Sequence, residues 1–285
     1  MNKNTKNLSL YKLFRKSKKY SIKWSNYFQV YEKKFSRYRN KKIKFVEIGV
    51  ANGGSLFMWK NYFGKKAKII GIDLNPNAKK LEKYGFKIYI GNQSDKKFWD
   101  KFYKKEGKID LILDDGGHKN LQQISTVHHS IPFIRDGGKI IVEDTSTSYL
   151  KKEFNNPSKY SFINYSKKMI DIIHRRSPLL KKNLNIYAKK IFQIEFFESI
   201  VVFSIDSKKC FINKEVSNEA INEWASDYRH NEYFGNIKNK LDKKYGILNK
   251  RSFVRKIIRK VFYRNFLYNI LDNLKIKTIF KNIEK

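Results

Sequence analysis

Between residues 44 and 142 five short apolar runs, at 45–48, 67–72, 87–90, 111–113 and 138–142, alternate with segments of helical periodicity. Runs of this kind leave no polar face for water, so they read as strands covered on both sides. Strands separated by helices run parallel, because each crossover returns the chain to the same end of the sheet. The expected fold is α/β: a doubly wound, mostly parallel, Rossmann-like sheet. A further pair of apolar runs within 191–205 reads as a hairpin that adds antiparallel strands at one edge. Its acids, Glu195 and Glu198, read as solvated.

In an open sheet of this type, ligands bind beyond the carboxyl ends of the strands. The first run carries Glu47 just before its end, then come Gly49, Gly53 and Gly54. Glycines there permit a tight strand-to-helix turn and close approach of a ligand to the backbone. An acid ahead of the first glycine suits a cationic ligand group better than a pyrophosphate. The second run ends at Asp73, where an acid accepts hydrogen bonds from ribose hydroxyls. The fourth runs into Asp114, Asp115, Gly116, Gly117 and His118, and the fifth into Glu143 and Asp144. Paired acids at two strand ends point to a hard cation held by oxygen ligands. Asp114 has two readings, as a cap of its own turn or as a cofactor contact.

These elements in this order (Glu47-x-Gly49-x-x-x-Gly53, Asp73, Asp114-Asp115-Gly-Gly-His118, Glu143-Asp144-Thr145) resemble the class I S-adenosylmethionine-dependent methyltransferases. More narrowly they resemble the metal-dependent O-methyltransferases of macrolide sugars and surface polysaccharides. The resemblance covers roughly residues 23–206. It implies S-adenosylmethionine as methyl donor, contacted by Glu47, Gly49, Gly53, Asp73, Asn92, Gln93, Ser94 and Asp114. It implies Mg2+ or Mn2+ on Asp115, Glu143 and Asp144, with His118 as general base. Asn92 departs from the Asp that such enzymes often carry. The implied chemistry is physically consistent: a metal acidifies a sugar hydroxyl, a nearby histidine takes its proton, and the oxygen attacks the sulfonium methyl in line.

Residues 24–39 read as an amphipathic helix whose Trp24, Tyr27, Phe28, Tyr31 and Phe35 pack on the core. Residues 145–184 follow the last acids directly and read as a substrate lid within a catalytic domain spanning 45–206. Flanking extensions, 1–44 and 207–285, are helical and basic. Residues 1–44 carry 15 Lys and Arg against one acid, and residues 236–285 carry 15 against three, within a net charge of +36. In 252–274 apolar residues recur at helical spacing opposite Arg and Lys, which suits an anionic membrane surface as well as ordinary packing. With one cysteine, Cys210, a disulfide framework within the chain is excluded, and cytoplasmic residence, peripheral to the inner membrane or not, is expected. Residues 1–23 lack the apolar stretch of a signal peptide. The expected partner is a sugar or glycan acceptor, free, nucleotide-linked or lipid-linked. An RNA or small natural-product acceptor is the second enzymatic reading, and a membrane-surface binding module the third. Nucleic acid is disfavoured because clustered acids repel phosphates. A homo-oligomer is left open.

Overall fold

The computed structural model describes residues 9–150, 159–180, 182–219, 273–274 and 276–280. The chain divides into two compact units, Met1–Val216 and Ser217–Lys285. In the second unit, Thr278 donates to the carbonyl of Leu274 at 3.0 Å. The basic stretch 252–272, and residues 151–158 and 181 of the 145–184 segment, lie outside the described residues. Among the described residues no helix is long and apolar enough to cross a membrane.

The first unit is built on a seven-stranded sheet. Its strands are β1 (Lys44–Ile48), β2 (Lys68–Asp73), β3 (Lys87–Ile90), β4 (Ile109–Asp114), β5 (Ile134–Val142), β6 (Ile191–Phe197) and β7 (Ile200–Ile205). Their order is β3-β2-β1-β4-β5-β7-β6. The first five strands pair in parallel. β7 runs antiparallel to β5, and β6 antiparallel to β7, so the edge hairpin forms as expected. The strand order reverses between β1 and β4, which opens the crevice there.

Helices cover both faces. One face carries α1 (Ser9–Arg15), α2 (Tyr27–Phe35) and α3 (Gly54–Phe63). The other carries α4 (Lys96–Glu106), α5 (Asn120–Ser130) and α6 (Phe162–His174). Alternation along each strand decides which core a side chain joins. Phe45, Leu113 and Ile141 enter the first core, with Phe35, Trp59 and Phe63; Val46, Ile112 and Val142 enter the second, with Trp99, Phe102 and Phe162. Each large ring taken fully out of water contributes about 2–3 kcal/mol.

Several local expectations shift for identifiable reasons. The helix after β4, expected over about 120–134, stops at Ser130 because Pro132 has no N–H to donate, and a short 3-10 turn follows. The aromatic helix begins only at Tyr27, and Tyr27, Phe28, Tyr31 and Phe35 are buried as expected. Trp24 is not a core residue: it is 66% exposed, ahead of the helix. Glu195 is not simply solvated either, because its carboxylate pairs with the buried Lys34 of α2. α6, within the segment expected to act as a lid, buries Phe162, Ile163 and Met169 in the second core.

Candidate active site

Register sets the site. Ile48 pairs with Asp114 and Asp114 with Val142, so β1, β4 and β5 end level. The ladder runs one residue further: Asp115 N–H donates to Ile48 O at 3.0 Å and Glu143 N–H to Asp114 O at 2.9 Å. The turns then lie backbone to backbone. Gly49 has φ +81°, and a Cβ there would stand 2.0 Å from the carbonyl oxygen of Asp115. Only glycine fits at that approach.

Strand alternation also separates the acids. Glu47 and Glu143 follow Phe45 and Ile141 onto the face of α2 and α3, whereas Asp114 follows Ile112 onto the face of α5. Asp114 is 1% exposed and accepts from Gln93 Nε2 at 3.0 Å and from Gly116 N–H at 3.1 Å. Burial raises its carboxyl pKa, and these partners offset part of that rise. Gln93 is spent the same way: its amide also meets Thr126 and accepts from Gly117 N–H. Both side chains brace the turns after β3 and β4 from inside.

On the other face, Glu47 accepts from Ser55 Oγ at 2.8 Å and Trp59 Nε1 at 3.2 Å. Burial pushes its carboxyl up to about 7. Glu143 accepts from the Tyr31 hydroxyl. Burial and the charge of Asp115 raise its pKa well above the usual carboxylate range, while Lys23 and Tyr31 pull it back. Between these acids lies Lys23 Nζ, 2.5 Å from Asp115 Oδ2, 3.0 Å from Glu143 and 3.9 Å from Glu47. Burial alone would lower the lysine pKa, but the three carboxylates outweigh it and raise it.

Asp115, His118 and Asp144 come together at the mouth of the crevice, with one potential ligand atom from each lying within 4.8 Å of the others. His118 Nε2 is 3.4 Å from Asp144 Oδ2 and 3.9 Å from Asp115 Oδ1. Its Nδ1 is buried without a hydrogen-bond partner. Asp144 Oδ1 accepts from the Tyr27 hydroxyl at 2.5 Å and from Trp24 Nε1 at 3.1 Å. His118 and Asp144 both hold left-handed backbone, with φ 55° and 51°. Such a conformation costs about 1–3 kcal/mol per residue and persists only where neighbours over-determine it. The Thr147 hydroxyl, donating to His118 O at 2.9 Å, ties the two turns together.

The remaining expected residues are dispersed along the adjoining strand ends. Asp73 accepts from Val50 N–H at 2.9 Å and Ala51 N–H at 3.0 Å, and so holds the glycine turn. Asn92 accepts from Ser94 N–H at 2.9 Å in the loop after β3. Gly53 caps α3 with φ +84°.

Sequence reasoning missed Lys23 and the hydroxyls of Tyr27 and Tyr31. The tyrosines carried a signal: Tyr rather than Phe at two positions of one helical face. Lys23 carried none, in a stretch rich in lysine.

The donor set fits a hard divalent cation. Asp115 and Asp144 offer carboxylate oxygens within 4.8 Å of each other and of a His118 ring nitrogen, while Glu143, expected as a third ligand, is held by the Lys23 ammonium and the Tyr31 hydroxyl. Oxygen donors with one imidazole suit Mg2+ or Mn2+ rather than the thiolate set of zinc.

No protein-family model matches the chain. Mycinamicin VI 2''-O-methyltransferase of Micromonospora griseorubida is 32% identical over 126 residues, 42% of this chain and 31% of that protein. A tetracenomycin-C rhamnosyl 2'-O-methyltransferase of Streptomyces olivaceus is 30% identical over 166 residues, 54% of this chain and 43% of that one. The chain thus spans less than half the length of these curated relatives. The solved structure of MycE methyltransferase, in complex with Mg and SAH, matches with a TM-score of 0.62 at 22% identity, covering 75% of this chain and 58% of that chain. The fold is that of the MycE methyltransferase structure, an architecture of the class the sequence resembles. Within that class, the chain resembles the sugar O-methyltransferases.

Proposed function

We propose that the chain is an S-adenosylmethionine- and divalent-metal-dependent O-methyltransferase acting on a sugar hydroxyl. The observation that carries this reading is the convergence of Asp115, His118 and Asp144 beside the glycine turn of β1. The named relatives supply the acceptor class, since they methylate sugars attached to larger molecules. The net charge of +36 favours an anionic carrier, such as a nucleotide sugar or a surface polysaccharide at the inner membrane face.

Asp115 and Asp144 would hold a divalent cation, which would supply Lewis acidity and make an adjoining hydroxyl easier to deprotonate. His118 Nε2 faces the same acids and takes the proton. Asp144 holds the imidazolium once formed, as it lies within 3.4 Å. Tyr27 fixes Asp144 and Tyr31 fixes Glu143 by their hydroxyls, so little reorganisation is needed as charge develops. The glycine turn, held by Asp73, would carry the methyl donor, and orientation of its methyl toward the acceptor oxygen would supply much of the rate.

The test is incubation with S-adenosylmethionine, Mg2+ and a panel of nucleotide sugars, read by mass spectrometry for the gain of one methylene. Transfer that stops in chelator and resumes on adding Mg2+ or Mn2+ supports the reading. Absence of methyl-donor binding in calorimetry would overturn it.

A further inference from the structure

Trp24 is placed unlike any other aromatic at the site. Its indole is 66% exposed, yet its N–H donates to Asp144 Oδ1 at 3.1 Å. The ring is also held through its backbone. Lys23, the preceding residue, is fastened among Asp115, Glu143 and Glu47, and Trp24 O accepts from Tyr27 N–H at 3.2 Å, where α2 begins. Exposure alternates here: Ile22 and Trp24 are exposed at 73% and 66% on either side of the buried Lys23 side chain, so burying Lys23 presents Trp24 outward. A large flat apolar surface is thus fixed at its polar edge and open on its face.

A ring so anchored is pre-organised for a ligand that is apolar on one face and hydroxylated around its rim. A pyranose has this form. Its axial C–H bonds make an apolar face that stacks on an indole, and its equatorial hydroxyls project in the plane of the ring. Stacked on Trp24, that plane runs toward the acid the indole N–H touches, and so toward Asp144 and His118. Resting on the sugar O-methyltransferase reading above, we infer that Trp24 is the acceptor platform: its indole face binds the pyranose to be methylated and sets which rim hydroxyl reaches His118. A second copy of the chain fits this spot less well, because the indole edge sits among carboxylates whose desolvation would oppose a dry interface.

The test uses methyl α-L-rhamnopyranoside, methyl α-D-glucopyranoside and methyl α-D-galactopyranoside as probes, with the open-chain alcohol rhamnitol as a control that keeps hydroxyls and lacks a ring face. Binding is read by saturation-transfer NMR with S-adenosylhomocysteine and Mg2+ present, in the full-length protein and in Trp24→Phe and Trp24→Ala. Calorimetry of S-adenosylhomocysteine and Mn2+ checks that each variant keeps its fold and its acids. The expected result is binding of at least one glycoside and not of rhamnitol, with saturation strongest on the ring C–H protons. Trp24→Phe should keep affinity within a few-fold, because the face remains although the N–H is gone. Trp24→Ala should lose about tenfold or more. Equal binding by Trp24→Ala would overturn the platform and leave the sugar reading standing. Equal loss in Trp24→Phe and Trp24→Ala would overturn it too, since the hydrogen bond to Asp144 would then be the cause. Binding of S-adenosylhomocysteine without any glycoside in the unsubstituted protein would sink both readings together.

Discussion

Lys23 and Glu143, 120 residues apart in the chain, meet with the lysine Nζ 3.0 Å from both carboxylate oxygens. The pair is almost dry, at 2% and 1% side-chain exposure. Removing one partner of a buried pair strands the other charge, at a cost of about 3–5 kcal/mol. Lys23→Met should therefore melt well below the unsubstituted protein in chelator. Mn2+ should restore more stability to the variant, because the competing ammonium is gone and the acids are left to the metal. Thermal unfolding with and without Mn2+ checks this. Equal melting of the two proteins in chelator would show that Lys23 does not hold the acids.

His118 faces Asp144 and Asp115 through Nε2, from a strained backbone held by Thr147. As the proposed base, it would act on the proton and not on the methyl donor. His118→Ala should lower turnover about 10²-fold or more and leave S-adenosylhomocysteine affinity nearly unchanged. Single-turnover kinetics and calorimetry separate the two effects. Undiminished turnover would move the proton transfer to another group.

Glu106, at the end of α4, gathers Lys68 at 2.9 Å, Lys87 at 2.5 Å and the Tyr89 hydroxyl at 2.7 Å. Burial would raise its carboxyl pKa, but hydrogen bonds from Lys87, Tyr89 and Lys68 outweigh it and hold the pKa at about 2, against an ordinary 4.5. A depressed folded-state value means that the stabilisation is complete above 4.5 and is lost as pH falls toward 2. The stability margin of the unsubstituted protein over Glu106→Gln should therefore shrink across that window. Denaturant midpoints measured from about pH 6 to about pH 2 read it directly. A margin independent of pH would show that Glu106 is not held in this way.

The frame was legible where a pattern repeats. Apolar runs alternating with helical segments gave the five parallel strands, and the pair of runs within 191–205 gave the edge hairpin. Alternation would also have assigned the acids to their faces, since Glu143 must follow Ile141 and Asp114 must follow Ile112. Position at a strand end marked Asp115, His118 and Asp144 in advance. The connections across the fold left no such mark. Lys23 reaches Asp115 and Glu143 only after the sheet has formed, and nothing local distinguishes it from its lysine neighbours. Trp24 fits the spacing of the buried aromatics that follow it, yet the chain turns before the helix starts and leaves it outside. Gln93 was read at the loop as a ligand contact, but its amide is turned inward because buried Asp114 needs a donor.

The level ends of β1, β4 and β5 make the crevice sensitive to chain parity. Each acid reaches its partners by counting residues from its strand, so a single-residue deletion inside β4 carries Asp115 to the side where Asp114 now braces Gln93. The same deletion in the exposed stretch 74–77 shortens a connection and leaves every acid facing its partners. Length variation among proteins that share this catalytic arrangement should therefore gather in the connections, and the strands that feed the crevice should drift in residue type while keeping their count.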